Sequence, residues 1–300
     1  MQSQATNHAT TILVPVDFSM HSRAAALRAC GLAAETGASI HLIHALHLPP
    51  VAQEAAVPED FWDGLRESER EKLEAFARDL ESEDIPITTA FEERDPVDMI
   101  RSAALAEQVG LVVMGSHGHR GIDRMLLGSV AERTVQRSPV PVLVVREDES
   151  DARKPIRNIF FATDFSEDAE RAERIVARWS VALNAQVEVF HAIRETAVLF
   201  APYAVPGSSD FEGEMHEAAT RRMEVVLERL RSAGVSAKSK IVYGLASDEI
   251  TKHADASGAD LIALGARGYS TLQRFLLGNV AERVMRQAHC SVLIVRDGKQ

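Results

Sequence analysis

The sequence has few cysteines and no excess of positive charge. Its 300 residues include two cysteines, Cys30 and Cys290, which lie in different halves of the chain and lack metal-ligand spacing. This argues against a disulfide framework or a zinc site, and it predicts a reducing compartment. The formal net charge of −11 likewise argues against nucleic acid or an anionic membrane as a general partner.

Long hydrophobic runs and the common phosphate-binding motifs are also missing. No apolar run approaches the ~18 residues that a membrane helix needs, and the polar N-terminus, MQSQATNHAT, lacks the apolar core of a signal peptide. We therefore expect a cytoplasmic protein.

The absence of GxxxxGK followed by Ser or Thr excludes a Walker-type NTPase. The absence of GxGxxG after the first strand argues against a dinucleotide-binding oxidoreductase.

The sequence does contain one glycine-spaced stretch that occurs twice. Residues 115–129 read GSHGHRGIDRMLLGS, and residues 265–279 read GARGYSTLQRFLLGN. Each has a glycine, two residues, a glycine, nine residues, a third glycine and a small polar residue. Each follows a short apolar run and leads into a helical pattern. Because a strand, a glycine turn and a helix start gather backbone N–H groups around one point, the stretch predicts a site for a phosphate-type anion.

The whole chain is predicted to be a tandem repeat of two domains, residues 1–150 and 151–300, with a linker at residues 151–155. The tripeptide Asp-Phe-Ser occurs at 17–19 and again at 164–166, and strand-like and helical patterns follow the same order in both halves. Strands that alternate with helices predict an α/β fold, in which helices cover both faces of a parallel sheet.

The predicted ligand site lies at the carboxyl ends of two strands, where the winding of such a sheet reverses. The first predicted strand ends at Asp17 and the fourth at Gly115. If these strands are neighbours, an acidic side chain and a phosphate loop share one crevice, as nucleotide binding requires. We also predict that Ser129 and Asn279 are the N-caps of the helices after the glycine loops, and that Asp95 caps the helix before the fourth strand.

Further motifs carry a family resemblance. The opening VPVDFS, the LIHA of the second strand, the glycine spacing and the closing PVPVLVV together resemble the universal stress protein family. The resemblance covers nearly the whole chain, as two complete copies. It implies that each half is a doubly wound, Rossmann-like sheet of five parallel strands in the order 3-2-1-4-5. It also implies ATP as the ligand, since many members of the family bind ATP.

The resemblance assigns binding positions in both halves: an adenosine end, an adenine-contacting alanine, and the ribose and phosphate contacts. In the first half these positions are Pro15, Val16, Asp17, Ala45, Met114, Gly115, Gly118, Gly128, Ser129 and Val130. In the second half they are Asp164, Ala192, Leu264, Gly265, Gly268, Gly278, Asn279 and Val280. ADP and AMP stay open as alternatives to ATP, because a backbone cradle distinguishes phosphate number poorly. Mg²⁺ is expected only as a companion of the phosphates.

The second half departs from the family pattern at its last point. Asn279 stands where the pattern has Ser or Thr, and Ala266 stands at the counterpart of Ser116. An amide can donate to a phosphate, but it is bulkier than a hydroxyl. We therefore expect the first site to bind ATP more firmly than the second.

Other polar residues are interpreted as structural. His44 and His191 end equivalent strands and are expected to be packed, and His117 with His119 is interpreted as a pair of loop histidines rather than a metal site. The charged pairs after the glycine loops are interpreted as solvated helix faces: Glu132 with Arg133, and Glu282 with Arg283. Since no nucleophile or acid–base partner accompanies Asp17, the sequence favours ligand recognition over catalysis.

The closing strands, VLVV at 142–145 and VLIV at 292–295, carry a separate prediction. Each is the last strand of its sheet, and an apolar edge invites pairing with another chain. In single-copy relatives the corresponding strand looks like the dimer seam. We therefore predict that the two halves pair through these strands as a pseudo-twofold dimer within the chain, with homodimers of the whole chain left open.

Three functional hypotheses differ in class. The leading one is an ATP-binding regulatory protein of the stress response, which acts through a protein partner that the sequence does not identify. The alternative is a slow ATP hydrolase or phosphate-transferring enzyme that uses the same pocket. The third, an interaction module that has lost its ligand, is disfavoured by the intact glycine motif of the first half.

Overall fold

The computed structural model divides the chain into two compact units, with the boundary between Pro155 and Ile156. They are called the first and the second unit. The residues that the structure describes are 10–48, 58–80, 85–106, 108–118, 127–146, 148–194, 211–268 and 277–296.

The first unit alternates strands with helices. Its strands are β1 (Thr11–Pro15), β2 (Ser39–Leu46), β3 (Ile87–Glu93), β4 (Val109–Gly115) and β5 (Val142–Val145). Its helices are α1 (Met20–Thr36), α2 (Glu59–Leu80), α3 (Pro96–Ala104), α4 (Ser129–Arg137) and α5 (Glu149–Ala152). Neighbouring strands are parallel, and they lie in the order β3-β2-β1-β4-β5.

The second unit repeats this arrangement. Its strands are β6 (Asn158–Ala162), β7 (Gln186–Ile193), β8 (Ala237–Tyr243), β9 (Leu261–Gly265) and β10 (Ser291–Val295). Its helices are α6 (Glu167–Leu183), α7 (Phe211–Ser232), α8 (Ala246–Ser257) and α9 (Asn279–Gln287). Neighbouring strands are again parallel, in the order β8-β7-β6-β9-β10.

Both sheets confirm the predicted fold class and strand order. The first unit winds from β1 through β2 to β3, and then returns past β1 to β4 and β5, so the winding reverses between β1 and β4. The crossover helices contact one another in two pairs in each unit, α1 with α2 and α3 with α4, then α6 with α7 and α8 with α9, and α5 also contacts α1. Right-handed crossovers place the two pairs on opposite faces of the sheet. The reversal leaves a crevice at the carboxyl ends of β1 and β4, and equally of β6 and β9.

Local sequence explains how these elements form. Central strand residues such as Leu13 and Val112 are completely buried, because a parallel sheet that is covered on both faces needs apolar side chains in both directions. Asp95 caps α3, as predicted, since its carboxylate accepts a hydrogen bond from the Val97 N–H at 2.8 Å. The buried apolar strands and the capped helix therefore both form where the sequence predicts them.

The longest helices, α2 and α7, span 22 residues each. α2 buries Leu73, Phe76, Ala77 and Leu80, whose spacing defines one apolar stripe of an amphipathic helix. Within the described ranges, no helix has both the length and the apolar character needed to span a membrane.

The segment that the sequence predicts as a linker, residues 151–155, is fastened to the first unit. Its first residues belong to α5, and Ala152 is buried. The buried Arg28 of α1 donates hydrogen bonds to the backbone oxygens of Asp151 at 3.1 Å and Lys154 at 2.5 Å. Arg28 therefore ties the end of α5 and the residues just after it to α1.

A buried hydroxyl in α4 gives a prediction for stability. Thr134 Oγ1 is buried without a hydrogen-bond partner in the described part of the chain, and Val284 holds the same position in α9, where it is completely buried. Because an unsatisfied buried polar group costs roughly 1–3 kcal/mol, we expect Thr134→Val to raise the free energy of unfolding of the first unit by about 1 kcal/mol. Urea unfolding followed by circular dichroism measures this change.

The matched control is the reverse exchange in the second unit. Val284→Thr buries a hydroxyl where the present side chain is apolar, so it is expected to lower the stability of that unit by about 1 kcal/mol or more. A Thr134→Val protein that is less stable than the original would show that the hydroxyl has a stabilising partner.

Candidate functional site

The carboxyl ends of β1 and β4 bring the predicted acid and the glycine loop together. Asp17 follows β1, and Gly118 follows β4. A Cβ atom added to Gly118 would collide with Asp17 Oδ2, and one added to Gly268 would lie 2.5 Å from Asp164 Oδ2. Any side chain at these glycines would displace the carboxylate. Each carboxylate therefore lies directly against the glycine loop of its unit.

The Asp-Phe-Ser turn fixes the carboxylate of the first unit. Ser19 donates its hydroxyl to Asp17 Oδ1 at 2.6 Å and its backbone N–H to the same oxygen at 3.1 Å. Phe18 between them has left-handed backbone with a φ of 62°, a conformation that costs a non-glycine residue of order 1–3 kcal/mol. Ser19 Oγ also accepts from the Ser22 N–H and so caps α1. One serine thus links the carboxylate to the start of the helix.

The equivalent turn of the second unit is tied to its glycine loop. The Ser166 N–H donates to Asp164 Oδ1 at 3.0 Å, but the Ser166 hydroxyl donates to the backbone oxygen of Arg267 at 3.1 Å. Phe165 again has left-handed backbone, with a φ of 64°. The start of α6 and the glycine loop are therefore joined directly in this unit.

His44 and His191 each form a hydrogen bond to the backbone just before the Asp-Phe-Ser turn of their unit. Each donates its Nδ1–H to a backbone oxygen at 2.8 Å, His44 to Val16 and His191 to Thr163. The phenylalanine ring of each turn lies against the imidazole, with ring centroids 4.5 and 4.6 Å apart. Burial lowers the pKa of His191, while the hydrogen bond to Thr163 and the nearby Asp164 carboxylate act in the opposite direction. These contacts agree with the interpretation of both histidines as packed residues.

The first glycine of each loop allows two elements to approach closely. A Cβ atom at Gly115 would lie 2.8 Å from the backbone C and O atoms of His21 in α1. A Cβ atom at Gly265 would lie 2.8 Å from the backbone N of Ala169 and 2.9 Å from the backbone C of Asp168, both in α6. Glycine at these positions therefore has a packing role, besides the phosphate approach that the sequence predicts.

The third glycine, and not the residue after it, caps the next helix. The Gly128 N–H donates to the Ser116 backbone oxygen at 2.8 Å, and the Gly278 N–H makes the equivalent bond in the second unit. Both glycines have extended backbone and are the N-caps of α4 and α9. The prediction that Ser129 and Asn279 are N-caps is wrong, because the bond back to the loop fixes the extended residue one position earlier.

The helix starts remain suited to an anion. The first N–H groups of a helix lack partners within it, and among the described residues no side chain caps α4 or α9. The helix dipole favours negative charge at the same end by about 0.3–1 kcal/mol. Ser129 and Asn279 are the first helical residues, so their side chains belong to the same first turn as these N–H donors.

In the second unit these parts surround one cleft of about 1030 Å³, a volume of the order found in small-molecule sites. Every position that the family resemblance assigns in this half lines the cleft. These residues are Asp164, Ala192, Leu264, Gly265, Gly268, Gly278, Asn279 and Val280. The structure therefore gathers residues from four separate parts of the sequence around one space.

In the first unit the assigned residues occupy the corresponding elements. Pro15, Val16 and Asp17 end or follow β1, Ala45 lies in β2, Met114 and Gly115 end β4, Gly118 follows it, and Gly128, Ser129 and Val130 surround the start of α4. His119, which the sequence analysis interprets as a loop histidine, belongs to residues 119–126, which lie outside the described residues.

Comparison with known proteins decides the family. The sequence model of the universal stress protein family matches residues 8–146 and again residues 155–296. The chain belongs to the universal stress protein family. Each match spans nearly all of one half, in agreement with the two glycine motifs.

Individual relatives have one or two copies of this unit. A universal stress protein of Methanocaldococcus jannaschii is 32% identical over 153 residues, which cover 47% of this chain and 94% of the relative. One from Mycobacterium tuberculosis is 24% identical over 293 residues, which cover 95% of this chain and 96% of the relative. The crystal structure of a universal stress protein from Archaeoglobus fulgidus aligns with a TM-score of 0.74 at 23% identity, over 96% of this chain and 98% of that one.

The cleft of this universal stress protein contains charged residues that the sequence did not assign to it. Arg194 and Arg267 line it, as do Glu282 and Arg283 of α9. The interpretation of Glu282 and Arg283 as a solvated helix face agrees with their exposure, since Arg283 is exposed and Glu282 is half-buried, and this face also borders the cleft. A signal was available, because these two residues lie three and four positions after Asn279, and such positions share one face of a helix.

Proposed function

We propose that each unit binds an adenine nucleotide, with ATP as the first candidate, and that the protein is a nucleotide-binding regulator of the stress response. The observation that carries this proposal is the cleft of the second unit, where a carboxylate, a glycine loop and a helix start without a side-chain cap meet. A carboxylate accepts hydrogen bonds from sugar hydroxyls, and a helix start with glycine-loop N–H groups suits phosphates.

The proposed contacts follow from where each residue lies. We assign the adenosine end to the turn after the first strand and to the alanine of the second strand, and the phosphates to the glycine loop and helix start. In the first unit the nucleoside contacts are Pro15, Val16, Asp17, Ala45 and Met114, and the phosphate contacts are Gly115, Gly118, Gly128, Ser129 and Val130. Mg²⁺ would accompany the phosphates. Within the described residues, no group of three or more potential metal-ligand side chains is assembled.

We propose further that the first unit binds ATP more firmly than the second. The helix start of the first unit begins with Ser129, and that of the second begins with Asn279. A hydroxyl leaves more room beside a phosphate than an amide does. The difference between Ser129 and Asn279 at the two helix starts is therefore the proposed reason for the higher affinity of the first unit.

Two glycine substitutions test the function. The acid extract of the purified protein is analysed for nucleotide by chromatography, and ATP is titrated by calorimetry. Gly118→Val and Gly268→Val each push a side chain into the adjacent carboxylate, so each is expected to weaken ATP binding in its own unit at least tenfold, which is about 1.4 kcal/mol. Gly31→Ala is the control, because no atom lies within 4 Å of the added Cβ.

The outcomes separate the hypotheses. A protein that contains no nucleotide and binds none would contradict the function, and equal loss from the two valine variants would contradict the difference in affinity. Bound nucleotide without turnover supports the regulator. Phosphate release well above the buffer rate, abolished by Gly118→Val, supports the alternative of a slow ATP hydrolase or phosphate-transferring enzyme.

A further inference from the structure

The glycine loop of the second unit is fixed by permanent charges. Arg267, two residues after Gly265, donates to Asp168 of α6, with distances of 2.9 Å from Nε to Oδ2 and 3.2 Å from Nη2 to Oδ1. Asp168 is only 3% exposed and also accepts from Arg171 at 3.0 Å. Since Asp and Arg keep their charges near neutral pH, this cluster is the same at pH 6 as at pH 8.

The first unit has two histidines at the positions of that ion pair. His117 lies two residues after Gly115, and His21 lies four residues after Asp17, as Asp168 does after Asp164. The two imidazole centroids are 5.4 Å apart. His117 is 9% exposed and its Nδ1 lies 3.0 Å from Ser116 Oγ. A pair whose charge varies with pH thus replaces a pair whose charge is fixed.

This exchange is close to the proposed phosphate position. A Cβ atom at Gly128 would lie 3.4 Å from the Cα of His117, and one at Gly278 would lie 3.6 Å from the Cα of Arg267. These glycines cap the helices whose N–H groups face the anion. The backbone of residue 117 therefore lies within a few ångströms of the helix start, so a charge on its side chain is near enough to act on a phosphate bound there.

The other charged groups near the histidine pair are carboxylates and an arginine. The Asp17 carboxylate lies against Gly118, the residue after His117, and Glu132 lies in the first turn of α4. Arg146 follows β5 at the place of Arg296. Burial lowers the pKa of Arg296, and nearby Arg267 lowers it further, which shows that this position is close to the loop. Histidine is the side-chain type that changes charge between pH 5 and 8.

We propose that the first unit takes up protons at His21 and His117 when it binds the phosphates of the nucleotide, whereas the second unit does not. The inference rests on the proposed function. An anion beside two imidazoles favours their protonated form and offsets the repulsion between them. By linkage, protonation then favours the anion equally, so the affinity of the first unit rises as the pH falls.

Calorimetry of single sites tests the proposal. Gly268→Val leaves the first site, and Gly118→Val leaves the second. ATP is titrated into each at pH 6.5 in PIPES and in Bis-Tris, whose ionisation enthalpies differ, and the difference in measured heat gives the protons taken up. We expect uptake of roughly half a proton or more at the first site beyond that at the second. We also expect an affinity gain of about fivefold from pH 7.5 to 6.0 at the first site alone.

Reciprocal exchanges provide the matched controls. His21→Asp with His117→Arg should abolish the extra uptake at the first site, and Asp168→His with Arg267→His should create it at the second. His117→Gln is a milder variant that removes one titrating group, and thermal melts establish that each variant is folded. Equal uptake at both sites, or uptake at the first site that is undiminished in folded His117→Gln protein, overturns the inference. Absence of binding at both original sites overturns the proposed function instead.

Discussion

Gly265→Ala is expected to lower the free energy of unfolding of the second unit by about 1–3 kcal/mol, the typical cost of overpacking a core position. The added Cβ would lie 2.8 Å from the backbone N of Ala169 and 2.9 Å from the backbone C of Asp168. These are main-chain atoms of the first turn of α6, which Ser166 caps. No side-chain rotation can relieve the contact, so the helix must move away from β9.

Hydrogen exchange of the amides of β6, β7 and β9 measures this effect within the second unit, without assuming that the two units unfold together. Gly31→Ala is the matched control, because Gly31 lies in the middle of α1 with no atom within 4 Å of the added Cβ. It is expected to gain about 0.5–1 kcal/mol from helix propensity. Protection factors that are unchanged in Gly265→Ala protein would show that α6 is not held at this distance.

Arg229→Ala is expected to destabilise the second unit by about 1–3 kcal/mol. Glu173 of α6 is only 5% exposed, and Arg229 of α7 donates to both of its oxygens at 2.7 Å. Removal of the arginine leaves a buried carboxylate without this partner. The cost is smaller than that of a fully buried pair, because the Arg229 side chain is 47% exposed and water can screen the remaining charge.

The relative stability of the two single variants and the double variant separates the desolvation cost of the buried Glu173 carboxylate from its attraction to Arg229. Glu173→Ala leaves only a half-exposed arginine, so it is expected to cost less than Arg229→Ala, and Ala26 already holds the same position in α1, completely buried. The double variant should resemble Glu173→Ala. Urea unfolding of all three proteins measures the order. If Glu173→Ala is the most damaging variant, the carboxylate makes a net contribution through other contacts.

The alternation of apolar runs with helical patterns was sufficient to predict the strands and a parallel sheet, while the strand order came from the resemblance to the universal stress protein family. With that order, Asp17 and Gly115 at the ends of two neighbouring strands mark the edge where the cleft lies. Parallel strands end at the same edge of their sheet, so two positions far apart in sequence meet. The pairing of 142–145 with 292–295 stays a prediction.

Side-chain partners could not be predicted in the same way. The N-cap moved from Ser129 to Gly128 because of a hydrogen bond to Ser116, and the ion pair between Asp168 and Arg267 joins residues that are far apart in the chain. Capping preferences describe single residues, whereas these contacts depend on how a loop folds back on a helix.

Two units encoded in one polypeptide have a consequence for dosage. Separate proteins can be synthesised in any ratio, but here translation yields one copy of each glycine loop every time. Gene expression can therefore change the total amount of protein and never the proportion of the two halves. Any unequal response of the halves must come from differences in their own residues, such as His21 and His117 in one half and Asp168 with Arg267 in the other.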